Sequence, residues 1–256
     1  HGDYRVPIDT VTYNTFDFVL KDHYLRNTAG RELNGFVAGG FTGKWGITKI
    51  SIGNFYNRSG FYADAHGFEI RNSEIDYDAR NRDINLPYQE VNHLKVISNT
   101  KILFDDHKMD LNLSFQNNLR REFSEPTEHG YRPLPTNSLE REFNKNVFAA
   151  NVQMKHLFSE KHTMTSGVNM EYQRNHIGGW GFIIPAFEQF TAGAFIFDQL
   201  KLSDRFTANA GARFDIGHIK LEEYHDWYPT PVFDYNGNIV DETFMQRSPS
   251  LSKTFT

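Results

Sequence analysis

The chain has 256 residues, a formal net charge of -5, no cysteine, 15% aromatic residues and a mean hydropathy of -0.58. The lack of cysteine excludes a disulfide framework and a thiolate metal site, and the lack of a clustered Lys/Arg surface leaves no basis for a nucleic-acid partner. No uncharged apolar run is long enough for a transmembrane helix, although a β-barrel wall, which buries only alternate residues, keeps a polar average.

In chain order, the first thirty residues read as loop, and eight long strands follow. They are expected over 31–42, 45–58, 91–105, 108–121, 145–159, 162–175, 187–202 and 205–221. Tight turns at Gly43-Lys44, Asp105-Asp106-His107, Glu160-Lys161 and Ser203-Asp204 join them in pairs, and long polar loops separate the pairs. Ser248 to Thr256 reads as a ninth strand that is only beginning.

The alternation is clearest from Phe206 to Ile216, where Phe206, Ala208, Ala210, Ala212, Phe214 and Ile216 share one parity. Thr207, Asn209, Gly211, Arg213 and Asp215 share the other. Successive side chains of a strand point to opposite faces, so one face is apolar and one polar. The same rhythm runs through Met109–Gln116, Ala150–Lys155 and Met164–Gln173, and no helical period fits it.

A soluble antiparallel sheet also alternates, so strand length and connection length decide between water and lipid. Most of these strands exceed the usual globular length, and a fifteen-residue strand reaches about 50 Å, enough to cross a tilted membrane span and project beyond it. Short turns on one side and long loops on the other are the pattern of bacterial outer-membrane barrels. Trp45, Phe104, Phe158 and Phe206 beside the short turns, with Tyr56, Tyr172 and Phe190 toward the long loops, are placed for an aromatic girdle; ordinary β propensity of aromatics gives the same enrichment.

The expected fold is therefore all-β: an antiparallel, up-and-down transmembrane β-barrel, of which this chain supplies about eight long strands. An open sheet in lipid leaves edge hydrogen-bonding groups unsatisfied, so the chain reads as an internal piece, residues 1–256 being part of one larger barrel domain.

Asn112, Ser114, Gln116, Arg120, Asn151, Gln153, Asn169, Glu171, Asn209, Arg213 and Asp215 are the candidates for the lumen. They either line a permeation route and contact whatever fills the barrel, or solvate the interior in ion pairs such as Arg213 with a neighbouring carboxylate. Tyr131, Arg132, Trp180 and Trp227 are the candidates for ligand capture in the outer loops, where a rigid scaffold carries binding function.

Other patterns have simpler explanations. Asp234-Tyr-Asn-Gly-Asn238 with Asp241 and Glu242 partly matches an oxygen-rich calcium loop, but Asn236-Gly237 fits a hairpin turn better. The acidic residues Glu74, Asp76, Asp78 and Asp83 read as a solvated loop. The pairs His218/His225 and His156/His162 lack a ligand spacing, so no metal site and no cofactor are assigned. No GxSxG-like motif is present, no catalytic residue is assigned, and the chain is not expected to be an enzyme.

The stretch FIFDQLKLSDRFTANAGARFD, Phe195 to Asp215, resembles a hairpin of the TonB-dependent receptors of the outer membrane, particularly those of Bacteroidetes-type bacteria. HGDYRVP at His1 to Pro7, YNRSGFYADAHG at Tyr56 to Gly67 and IIPAFEQF at Ile183 to Phe190 are looser likenesses. The resemblance implies a twenty-two-stranded outer-membrane barrel with a separate plug, importing a scarce ligand with energy delivered by the inner-membrane TonB complex. That ligand is expected to be an iron complex such as a siderophore or haem, with cobalamin, glycans and peptides as further candidates. No plug, TonB box or C-terminal aromatic-ended strand is recognisable, as expected of a mid-barrel segment. A passive porin-like channel and a small autonomous barrel with an adhesive or enzymatic role are the alternatives.

Overall fold

A computed structural model describes residues 1–13, 16–62 and 80–256. Two small ribbons come first: β1 (Tyr4–Arg5) pairs with β4 (Tyr24–Leu25), and β2 (Thr10–Tyr13) with β3 (Phe16–Val19). The first thirty residues are thus not wholly irregular, as the sequence reading had them. Their ends are fastened: Asp3 accepts backbone N–H bonds from Thr28 and Ala29, and Asn27 donates to the Phe61 and Pro87 carbonyls.

The wall then runs β5 (Gly30–Gly43), β6 (Gly46–Gly60), β7 (Tyr88–Phe104), β8 (His107–Phe123), β9 (Leu139–Ser159), β10 (His162–Gly178), β11 (Phe187–Ser203) and β12 (Phe206–Leu221). All eight expected strands are present, seven of them somewhat longer than their alternation suggests and β12 one residue shorter. The tight turns are Lys44-Trp45, Asp105-Asp106, Glu160-Lys161 and Asp204-Arg205, so two of the four fall one residue later than expected. At the first, Gly46 takes φ +139, a backbone conformation that side chains other than glycine's rarely adopt, which moves the turn past Gly43.

Between β12 and the last strand the chain makes a ribbon of β13 (Tyr224–Phe233) and β14 (Ile239–Ser248), whose tip is the hairpin turn expected at Asn236-Gly237, although its two strands are not among those expected from alternation. It then returns as β15 (Leu251–Phe255), antiparallel to β12. The resulting nine-stranded sheet has the order β15-β12-β11-β10-β9-β8-β7-β6-β5, all neighbours antiparallel. It is an open sheet, with β5 and β15 at its two edges.

Register carries the sequence alternation across the whole sheet, because residues paired across an antiparallel ladder point to the same side. One row on one face reads Val37, Ile52, Val96, Phe115, Phe148, Tyr172, Phe190 and His218. A second row on that face reads Phe41, Thr48, Thr100, Leu111, Val152, Val168, Ala194 and Phe214. Two neighbouring aromatic members of the first row are in contact, with the Phe115 and Phe148 rings 4.8 Å apart and tilted by 38°.

Toward the long loops this face changes character. A row of Arg31, Arg58, Glu90, Arg121 and Glu142 follows, with Arg121 and Glu142 paired at 2.6 Å and Arg58 and Glu90 at 3.5 Å. The apolar band is thus bounded by charge on the loop side and by Trp45, Phe104, Phe158 and Phe206 on the turn side.

None of the described residues covers this band. Phe214 is 62% exposed and Phe148 51%, while the buried apolar side chains among the described residues are only Leu20, Ala29 and Ala186, all outside the strands. A nine-stranded sheet without a hydrophobic core is not held together in water by burial of its faces.

Candidate functional site

The eleven residues expected on the polar parity all lie on one face of the sheet. The central row crosses eight strands as Gly40, Lys49, Asn99, Asn112, Asn151, Asn169, Gly193 and Asp215. Asn99 Nδ2 donates to Asn112 Oδ1 at 2.6 Å within it. In adjoining rows, Ser114 stands opposite Ala149, Gln116 meets His93 Nε2 at 3.3 Å, and Gln153 lies between Asp110 and Gly167. Glu171 accepts from Gln173 Nε2 at 2.5 Å, and Asn209 stands opposite Gln199. Arg120 contacts Glu122, near the loop end of the same face.

The sharpest feature of this face is a three-residue cluster. Arg213 donates to Asp215 through Nε at 2.7 Å and Nη2 at 2.6 Å, and Nη2 also reaches Asn169 Oδ1 at 3.0 Å. This fork-shaped pairing is the geometry that favours arginine over lysine. A β-carbon on Gly193 would collide with Asp215 Oδ1, so the cluster sits in a notch left by glycine. A cleft of about 270 Å³ opens beside it, lined by Asn169, Thr191, Arg213, Asp215, Gly217 and Phe255.

Aromatic residues on this polar face were not expected there, since parity had assigned apolar side chains to the other side. Phe36, Phe195, Phe197 and Phe255 each stand directly opposite a glycine on the neighbouring strand: Gly53, Gly167, Gly211 and Gly217. At Gly167 and Gly217 the ring occupies the space a β-carbon would take, and at Gly53 and Gly211 it lies 3.3 Å from that point. Glycine leaves backbone exposed, and a cross-strand aromatic ring covers it.

At the loop end, the four residues proposed for ligand capture come together although they are far apart in sequence. The Arg132 guanidinium lies over the Trp180 ring, 4.6 Å from its centroid. Trp227 Nε1 donates to the Trp180 carbonyl at 3.0 Å, and Trp180 Nε1 donates to the Asn137 carbonyl at 3.1 Å. Tyr131 faces Phe233 at 6.1 Å, and Phe182 stacks on Tyr224 at 4.3 Å. Loops β8–β9 and β10–β11 and the β13–β14 ribbon therefore meet in one aromatic surface with an arginine in it. Leu134 and Ile183 on the same loops are exposed.

The base of this surface is ionic. Arg141 pairs with Glu122 at 2.8 Å and with Glu140 at 2.6 Å, and all three are buried. Ser124 Oγ donates to Glu140 Oε2 at 2.5 Å, which ties the start of one loop to the strand at its end. The ribbon has its own clasp, in which Arg247 grips both oxygens of buried Asp226 at 3.0 and 2.9 Å through Nε. That bidentate contact holds the Arg247 pKa above its ordinary value. A second cleft, about 380 Å³, lies against Arg58, Tyr88, Asn85 and Glu125, with Arg58 over the Tyr88 ring at 4.0 Å.

The oxygen-rich segment is a turn. Asp234 Oδ1 accepts from the backbone N–H groups of Asn236 and Asn238, both at 2.9 Å, and Gly237 takes φ +82 at the tip. Glu74, Asp76 and Asp78 lie outside the described residues, while Asp83 accepts the Arg80 backbone N–H at 3.0 Å. His218 is placed between Thr254 and Ser252, and His156 adjoins His107, not His162. Among the described residues no group of three or more His, Asp or Glu is placed to hold a metal ion.

No protein-family model and no curated protein matches the chain.

Proposed function

We propose that this chain is wall and outer loops of an outer-membrane β-barrel of the TonB-dependent receptor type, importing a bulky ligand, most plainly an iron complex such as a siderophore or haem. The observation that carries the membrane reading is the uncovered apolar face, continuous across eight strands and bounded on both sides by aromatic or charged rows. Lipid is the solvent that such a face fits, and the opposite Asn-rich face then borders the lumen.

The free edges at β5 and β15 call for further strands, because unpaired backbone groups are costly in hydrocarbon. This favours a larger barrel over a small autonomous one. In the transport reading, the Arg132, Trp180, Trp227 and Tyr131 surface captures ligand by stacking and by the guanidinium charge. The polar face, with the Arg213–Asp215–Asn169 cluster, meets a plug domain, and energy arrives through that plug from the TonB complex. No covalent chemistry is involved.

The reading is tested in two steps. The protein is expected in the outer-membrane fraction, migrating as a heat-modifiable band. Uptake of a labelled iron complex is expected to stop when a protonophore collapses the inner-membrane gradient. Uptake that persists without the gradient would replace active import by passive diffusion.

A further inference from the structure

On the apolar face, near the short turns, β8 and β9 place two histidines and two methionines side by side. His107 is the cross-strand partner of His156, and Met109 is the partner of Met154, two residues further along the same strands. Residues two apart share a face, so all four side chains stand on one patch. The two histidines are in direct contact, Nδ1 to Nδ1, at 3.3 Å, with their rings nearly perpendicular at 73°.

We infer that His107 and His156, with the thioethers of Met109 and Met154, form a binding site for a cuprous ion. The separation is the first argument. Two imidazole nitrogens bound at about 2.0 to 2.1 Å to one tetrahedral metal lie about 3.3 to 3.4 Å apart, the separation the two rings have here.

The donor set is the second argument. Directly opposed residues have β-carbons about 4.5 to 5.5 Å apart, within reach of the long, flexible thioether chains. The thioethers are soft, neutral donors that select monovalent copper, the neutral imidazoles also suit copper, and no carboxylate is in the set to favour a harder cation. A monovalent ion among neutral donors also places a single charge at the border of an apolar band, where a divalent ion would cost more to desolvate.

Its surroundings separate the patch from the other titratable groups. His162 is held by Asp198 at 2.8 Å, and the Phe158 ring lies between it and His156, 5.8 Å from one and 5.0 Å from the other. Met164 stands opposite His156 on the next strand and is the spare thioether. Of the five methionines in the chain, three are therefore gathered here. Spacing along the chain does not reveal this cluster, because the ligands are cross-strand partners separated by a long loop.

The inference rests on strand register and is independent of ligand import. It is tested on the protein extracted from its own membrane in detergent, by titrating Cu(I) against a chromogenic chelator under anaerobic, reducing conditions and titrating Zn(II) separately. One Cu(I) per chain is expected, with affinity falling about tenfold or more in His107→Ala or His156→Ala. His225→Ala, on the exposed ribbon, leaves it unchanged.

Met109→Leu/Met154→Leu preserves side-chain volume, so heat-modifiable migration is retained while Cu(I) affinity falls and copper–sulfur scattering disappears from the X-ray absorption spectrum. Failure to retain Cu(I) overturns the site. So does Zn(II) binding as tight as Cu(I) and indifferent to the methionines, which would describe a histidine-only zinc site.

Discussion

The Phe195 ring covers Gly167 across the β10–β11 ladder: a β-carbon on residue 167 would stand 2.5 Å from the ring and 2.8 Å from the Val152 carbonyl oxygen. Gly167→Ala must therefore displace the ring and the neighbouring strand, at a cost of about 1 to 3 kcal/mol. Gly39, on the opposite face, has nothing within 4 Å of a β-carbon. Gly39→Ala is expected to stay within about 0.5 kcal/mol of the parent. Urea unfolding midpoints in detergent compare the two, and equal losses would remove the ring-over-glycine explanation.

The two faces differ in what they tolerate. Ala194 lies between Val168 and Phe214 in the middle of the apolar band, so Ala194→Arg is expected to cost about 2 to 4 kcal/mol of membrane assembly. Asn209→Arg, on the polar face opposite Gln199, is expected to assemble nearly normally. Ala210, of the same parity as Ala194, is a poorer probe because it stands opposite Asp198, which would pair with a new arginine. The yield of heat-modifiable protein measures both, and the reverse order would exchange lipid and lumen.

In the proposed import function, capture at the loop surface depends on Arg132 and Trp180 acting together, since the guanidinium is stacked on the indole at 4.6 Å. Arg132→Ala and Trp180→Ala should each weaken capture of the iron complex by about fivefold to thirtyfold, a loss of about 1 to 2 kcal/mol. The double variant should lose less than the two single losses combined, because each single change already breaks the stack. Ligand quenching of tryptophan fluorescence in Trp180-containing variants, alongside uptake assays for all of them, provides the check. Full additivity would mean the two side chains act separately.

The tip of the β13–β14 ribbon is acid-sensitive. Backbone and side-chain donation from Asn238, then from Asn236, holds the Asp234 carboxyl below its ordinary 3.8. A lowered folded pKa means that the charged form stabilises the turn: the contribution is complete above 3.8 and is lost as pH falls through the lower folded value. Hydrogen exchange at the Asn236 and Asn238 amides should quicken over that window, and Asp234→Ala should exchange fast at every pH. Unchanged exchange in Asp234→Ala would show that the turn holds without the carboxylate.

The eight wall strands were legible because period-two alternation is a direct projection of a two-faced sheet, and it survived almost to the residue. Their ends were less so: β9 begins at Leu139, six residues before its alternation declared it, because Arg141 and Glu142 are held there by ion pairs with Glu122 and Arg121 of β8, and Glu140 accepts a hydrogen bond from Ser124. Phe36, Phe195, Phe197 and Phe255 broke the parity rule for a reason invisible in one strand, namely a glycine on the next. The loop surface was readable only as residue types. That Trp180 meets both Arg132 and Trp227 depends on three loops converging, and each loop alone carries no such pattern.

The ionic base at Glu122, Glu140 and Arg141 sets a height. From Phe148 in the aromatic row to Leu139 at the start of the strand there are nine residues, about 30 Å of continuous strand at 3.3 Å each. The wall therefore rises as a palisade well past its greasy belt. In the proposed membrane setting, the loops that carry Trp180 and Arg132 stand on that crest, clear of the lipid at its foot.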